Sequence, residues 1–266
     1  MSLRGKAEAI SYQNFLDVAV EASLLSGEIQ KEGLKTERQI DFKGTINIVT
    51  DIDHACEEAI VKIIQGRFPD HDVLAEEGRG YRTDSEFKWI IDPLDGTTNY
   101  AHGYPLFATS IALEHRGEIV VGAVLEPNLN ELFTAVKNKG AYLNGKKISV
   151  SKTTNLNHAL LCTGFAYNIR EVKHNNVEEF QKFLFQSRAV RRDGVAATDL
   201  CYVACGRYDG FWELELYPWD VGAGYLMVKE AGGVVTNYQG NEFSIYDKEI
   251  VASNGLLHAS MLEVLK

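Results

Sequence analysis

The sequence predicts a layered α/β (α+β) fold made of two halves that meet near residue 150. Three observations predict it: apolar residues at helical spacing before residue 70, alternation from residue 107 to 150, and mixed patterns after Ser151. The expected boundaries are 1–150 for an N-terminal half holding most of the acidic clusters and 151–266 for a C-terminal half holding Asp220, packed as one unit.

Phe15, Val18, Ala19, Ala22, Leu25 and Ile29 share one helical face, so the spacing predicts a helix from Tyr12 to about Lys31. A second helix starts after Thr50-Asp51, with Ile52, Cys56, Ile60, Ile63 and Ile64 inward, and stops before Pro69. Val73–Ala75 and Trp89–Ile91 read as buried strands that run into acidic residues. Segments 108–114, 119–125, 131–136 and 148–150 form an expected antiparallel meander, with His115–Glu118 and Asn144-Gly145 as turns. Strand 159–163, helix 177–186, strand 189–192, helix 197–205, strand 210–214, helix 221–231 and strand 234–236 complete the reading.

Composition bounds the function. Apolar residues are 45% and charged residues 24% of 266, which excludes disordered, collagenous and coiled-coil classes. The net charge of −10 argues against a protein that grips nucleic-acid backbone and suits one that collects cations, or simply stays dissolved. Cys56, Cys162, Cys201 and Cys205 form no CxxC pair, so free thiols are expected and a zinc site is not. Met1–Ile10 lacks an apolar stretch, and Ile119–Leu125 is far short of the ~20 residues needed to span a bilayer. A cytoplasmic protein without a membrane partner is the expectation.

Acidic clusters fall at element boundaries: Asp51/Asp53, Glu76/Glu77, Asp92/Asp95 and Asp220. Singly, each has a structural explanation. Asp53 follows Thr50 by three residues, as in a capping box; Glu76-Glu77 suits a solvated turn; Asp220 suits a helix start. Asp92-Pro93-Leu94-Asp95-Gly96-Thr97-Thr98 is different. Pro93 stiffens the turn, Gly96 lets a ligand approach the backbone, and the threonines open a helical turn with free amides. Two carboxylates beside an anion-binding turn repel one another unless cations intervene, which points to a phosphate held together with metal ions.

That heptapeptide resembles the signature of the inositol monophosphatase family of magnesium-dependent, lithium-sensitive phosphatases. Trp219-Asp220-Val221-Gly222-Ala223-Gly224 with Glu230-Ala231-Gly232-Gly233 is similar to its second signature, and Asn47–Asp53, Glu76-Glu77 and Gly194–Ala197 match other blocks in order. The resemblance implies an αβαβα sandwich of the sugar phosphatase type, with an antiparallel N-terminal sheet and a mixed C-terminal sheet. It implies two or three Mg²⁺ ions held by Glu76, Asp92, the Leu94 carbonyl, Asp95 and Asp220, with Glu76 counted among the catalytic residues. Asp53 and Thr97 would activate water. Asp95, Gly96, Thr97, Thr98, Gly194, Ala196, Glu213 and Asp220 would contact substrate, Glu213 reading polyol hydroxyls with Glu215 as its rival. Arg191 and Arg192 are open to core, dimer or second-phosphate roles.

The chain departs from many relatives at Gly78-Arg79 and at Ala166 within Thr163–Tyr167. The implied reaction is hydrolysis of a phosphate monoester, foremost of inositol 1-phosphate, by a homodimer. Fructose 1,6-bisphosphate, histidinol phosphate or an adenosine bisphosphate is the alternative substrate. From another class comes a regulatory protein of the transcription machinery.

Overall fold

The computed structural model describes residues 11–36, 40–42 and 48–266. Met1–Ile10 and Asn47, both used in the sequence reading, lie outside the described residues.

In chain order the elements are α1 (Gln13–Gly33), β1 (Ile40–Phe42), β2 (Ile48–Thr50), α2 (Asp51–Arg67), β3 (Asp72–Ala75), β4 (Phe87–Asp95), α3 (Thr97–Ala101), β5 (Ala108–His115), β6 (Glu118–Glu126), β7 (Glu131–Val136), β8 (Gly140–Leu143) and β9 (Lys146–Lys147). There follow β10 (Leu160–Thr163), α4 (Val177–Gln186), β11 (Ala189–Arg191), α5 (Ala196–Ala204), β12 (Gly210–Leu214), α6 (Pro218–Glu230), β13 (Val234–Thr236), β14 (Glu249–Ser253) and α7 (His258–Leu265).

Period-two alternation sorts the strand side chains into layers. Trp89, Ile91, Ile111 and Leu113 face α1 and α2, meeting Val18, Ala22, Ile60 and Ile64. Ile90, Ala112 and Val124 turn the other way, onto Leu200, Val221 and Met227 of α5 and α6. From the opposite sheet Cys162, Phe211, Ile250 and Ala252 join that same core, whereas Leu161, Trp212 and Val251 face Phe183 of α4 and Met261 of α7. The order of layers is therefore helix, seven-stranded sheet, helix, five-stranded sheet, helix. Burying side chains as large as Trp89 and Trp212 contributes on the order of 2–3 kcal/mol each.

The seven-stranded sheet runs β3-β4-β5-β6-β7-β8-β9 and the five-stranded sheet β11-β10-β12-β14-β13. The first is antiparallel except at its edge, where β3 pairs parallel with β4. The second is mixed, with β10 parallel to β11 and β12, and β14 antiparallel to β12 and β13.

Three local readings change. Residues 148–150 are not a strand, because Asn144 and Gly145, at φ 48° and 73°, close a tight hairpin whose return strand starts at once with Lys146. Helix α6 begins at Pro218, whose fixed φ suits the first helical turn, and so takes in Asp220. Strand β14 and helix α7 were not anticipated: Ile250-Val251-Ala252 is buried on both faces and shows no alternation. Among the described residues no helix is long and apolar enough to cross a membrane.

Candidate active site

The predicted site residues converge because they sit where parallel strands end, the position at which open α/β sheets present ligand-binding loops. Glu76 follows β3, Asp92 to Asp95 finish β4, and from the other sheet Gly194, Glu213 and Asp220 follow or close β11 and β12. Glu76, Asp92, Leu94, Asp95, Gly96, Thr97, Gly194, Ala196, Glu213 and Asp220 all line one cavity of about 450 Å³.

Each support is local. The β4–β5 register slips between Asp92 and Asp95, so Pro93 sits in a bulge where no ladder donor is needed. The Pro93 carbonyl accepts from Gln30 Nε2 at 2.8 Å, Thr109 Oγ1 at 3.1 Å and Ser26 Oγ at 3.3 Å. Ser26 and Gln30 are polar side chains on the buried face of α1, where helical spacing alone predicts apolar ones. That break in pattern was the available signal for a functional role. Glu57, wholly buried in α2, accepts the amides of Glu77 at 2.6 Å and Arg79 at 2.8 Å and so shapes the turn carrying Glu76.

Asp53 is buried at the third position of α2. Its Oδ2 accepts the Thr50 amide at 2.9 Å, and its Oδ1 accepts the Thr97 hydroxyl at 3.0 Å. Thr97 Oγ1 also lies 3.1 Å from the Leu94 carbonyl, so one hydroxyl proton faces two acceptors. Asp220 repeats the arrangement at the third position of α6, its Oδ2 accepting the Tyr217 amide at 2.7 Å. Asp95 Oδ2 accepts the Ala197 amide at 2.7 Å, which ties the seven-stranded sheet to the start of α5. Gly96, at φ 92°, is required twice over: for its left-handed backbone and because a Cβ there would lie 2.8 Å from Val195 Cγ2.

The electrostatics are those of crowded acids. Burial, then Glu76, Asp95 and Asp220, raises Asp92 well above the carboxylate range. Burial and Asp95 do the same to Asp220. Asp95 rises to about 7 through burial, eased by the Ala197 amide, and Asp53 to about 6 through burial, eased by Thr50. Four carboxylates and one carbonyl, an all-oxygen set in one crowded cavity, suit a hard divalent cation.

The remaining wall carries one more buried carboxylate. Glu213 is buried and pushed up to about 8 by burial and Asp95, while Arg192 opposes the shift. Its carboxylate occupies the place that a side chain on Gly164 would take, since a Cβ there would come within 2.1 Å of Oε1. The rival Glu215 is no continuation of the strand: β12 ends at Leu214, and Glu215 turns left-handed at φ 62° and is exposed. Thr98 bonds Tyr167 of the 164–168 loop and so joins the site as a clasp on that loop. Both arginines are exposed; Arg192 lines the cavity, and Arg191 turns back to the Val190 carbonyl at 3.4 Å. Tyr217 and Trp219 stack at the rim, 5.0 Å apart and 7° from parallel. His102 is exposed and caps α3, as a surface histidine does.

Comparison with known proteins agrees with this geometry. Residues 11–266 match the inositol monophosphatase family. The inositol-1-monophosphatase of Synechocystis sp. is 44% identical over 256 residues, 95% of this chain and 89% of that protein. The fructose-1,6-bisphosphatase/inositol-1-monophosphatase of Aquifex aeolicus is 41% identical over 256 residues, 96% of each. The solved inositol monophosphatase of Anabaena (Nostoc) sp. PCC 7120 superposes with a TM-score of 0.88 at 43% identity, covering 95% of both chains. With fold, order of blocks and near-complete coverage in agreement, the chain belongs to the inositol monophosphatase family and is a phosphatase of that family.

Proposed function

We propose that the protein hydrolyses inositol monophosphate, with Mg²⁺ held by Glu76, Asp92, the Leu94 carbonyl, Asp95 and Asp220. The observation that carries this reading is the convergence of those oxygens with buried Glu213 in one cavity. When bound, magnesium supplies neutralisation of the phosphoryl oxygens and a more acidic water. Asp53 and Thr97 would take the proton of the attacking water: Thr97 Oγ accepts it as its own proton passes to Asp53 Oδ1, 3.0 Å away. The Thr97 amide holds a phosphate oxygen, together with the Gly96 amide once it leaves the Asp95 carboxylate it now faces. Glu213 accepts from polyol hydroxyls, and Gly194 and Ala196 leave room for the ring.

A second substrate class is favoured by one observation. Arg192 shares the cavity wall with Glu213 and offers a guanidinium to a second phosphate, as in fructose 1,6-bisphosphate. The test is phosphate release, with magnesium, from inositol, sugar and nucleotide monophosphates and from fructose 1,6-bisphosphate. Preference for inositol phosphate upholds the first reading. A bisphosphate preference abolished by Arg192→Ala replaces it with the second, and full turnover after metal stripping overturns both.

A further inference from the structure

Behind the substrate wall lies a cluster that the reaction does not use. One ligand atom each from Cys162 of β10, Asp193 of the β11–α5 loop and Asp199 of α5 fall within 4.8 Å of one another. Asp199 is 1% exposed, and apart from the Cys162 thiol that faces it neither carboxylate oxygen has a hydrogen-bond partner. An ionised carboxylate left that way is costly by several kcal/mol unless a proton or a cation accompanies it.

The surroundings are arranged around a shared point. The Tyr208 hydroxyl donates to Asp193 Oδ2, which leaves the other Asp193 oxygen available. Burial, then the charges of Asp199 and Asp193, push the Cys162 thiol well above its ordinary range. The Asp193 amide that faces the sulfur opposes them only in part, so without a cation the cluster keeps its protons. Cys162 is wholly buried; its thiol faces the Asp199 carboxylate and lies 4.0 Å from the Thr163 carbonyl.

We infer that Cys162, Asp193 and Asp199 form a buried structural site for one divalent cation of the zinc class, separate from the magnesium site. One sulfur with two carboxylates selects a borderline metal over magnesium, which takes oxygen alone. Zinc–ligand distances of about 2.0–2.3 Å place tetrahedral ligands roughly 3.5 Å apart, so small side-chain rotations close the cluster. Binding sends the thiol proton and the proton retained by Asp199 to solvent, and affinity therefore rises with pH. Sequence spacing could not disclose this, because the three ligands come from separate elements and no CxxC or histidine pair marks them. A cation there pins β10, the 192–195 loop and α5, whose Ala197 amide holds Asp95.

The experiment is cobalt(II) titration of the magnesium-saturated protein, read by absorption. The expected result is a stoichiometric thiolate-to-cobalt charge-transfer band, undiminished by excess magnesium and retained in Asp220→Asn, since the active site holds no sulfur. Cys162→Ser should abolish the band, and Asp199→Asn should weaken cobalt binding at least about tenfold. Zinc should raise the melting temperature of the parent protein and not of Asp199→Asn. If Cys162→Ser fails to fold, the parent and Asp220→Asn spectra still decide. Absence of the band in folded parent protein, or a more stable Asp199→Asn whose melting ignores zinc, overturns the inference and leaves Asp199 a protonated core acid.

Discussion

The starts of α2 and α6 use one local device for two purposes. Each places an aspartate at the third helical position, with one oxygen on the amide of the residue before the helix, 2.9 Å for Asp53 and 2.7 Å for Asp220. What differs is the free oxygen. That of Asp53 is sealed against Thr97 in a fully buried pocket, while that of Asp220 faces Asp95 and Glu76 across the cavity. A cap fixes half of a carboxylate and thereby aims the other half. The third position is a structural place, and the neighbour decides what the free oxygen meets: a buried hydroxyl at Asp53, other carboxylates at Asp220.

The sharpest way to break this comparison is to neutralise both aspartates. Asp53→Asn keeps the shape but weakens the base, so kcat should fall by about 10²–10⁴ and stay low at saturating magnesium. Thr97→Ala should match it, and the double variant should be little worse, because the two act as a unit. Asp220→Asn should instead raise the magnesium needed for half-maximal rate, and excess metal should recover part of the loss. Magnesium titrations of kcat, with folding checked by melting, decide the matter; metal rescue of Asp53→Asn alone would reverse the two roles.

A smaller effect concerns Glu213, which lines the same cavity as Asp220 but carries no helix cap. Glu213→Gln should lower kcat/KM on inositol phosphate by roughly 1–3 kcal/mol while sparing an aryl phosphate. Equal losses on both substrates would place Glu213 in the machinery common to all phosphate esters.

The pH dependence of metal binding sharpens the electrostatic side. Asp53, Asp95 and Glu213 rise to about 6, 7 and 8, against about 4 in the unfolded chain. The metal-free fold therefore holds more protons than the unfolded chain. The stability these groups contribute is complete below pH ~4 and is lost as pH climbs through 6 to 8. Magnesium binds the ionised set, so the melting-temperature gain it brings should grow from pH 5 to pH 8. A gain that is flat over that range would show that the acids do not titrate with the metal.

Smallest of all is the cap itself. Thr50→Ala removes the hydroxyl on Asp53 and should cost about 1 kcal/mol in urea unfolding. Asp220 takes the Tyr217 backbone amide. Tyr217→Phe, which keeps the ring stacked on Trp219, should therefore leave stability unchanged within a few tenths of a kcal/mol. A loss near that of Thr50→Ala would contradict the reading of Asp220.

Much of the site was legible because turn chemistry is local. Pro93, Gly96 and the Thr50–Asp53 spacing announce themselves within a few residues. What could not be read was the support from afar: Ser26 and Gln30 on the Pro93 carbonyl, Glu57 under the Glu76 turn, and Gly164 beneath Glu213. These contacts link residues from about 20 to 67 positions apart, and only the layered topology brings them together. In the fold, the helices and the alternating meander followed from periodicity. Strand β14 and the parallel β3–β4 edge did not, since full burial erases alternation.

The position of β14 has a consequence for how the protein is made. It lies between β12 and β13, and both of those leave the ribosome before it. Until residues 249–253 arrive, Phe211-Trp212-Glu213-Leu214 has an unpaired edge on one side, an apolar template for pairing with other chains. The nascent five-stranded sheet is thus at its most aggregation-prone late in synthesis. The strand that holds Glu213 is locked only when that gap is filled.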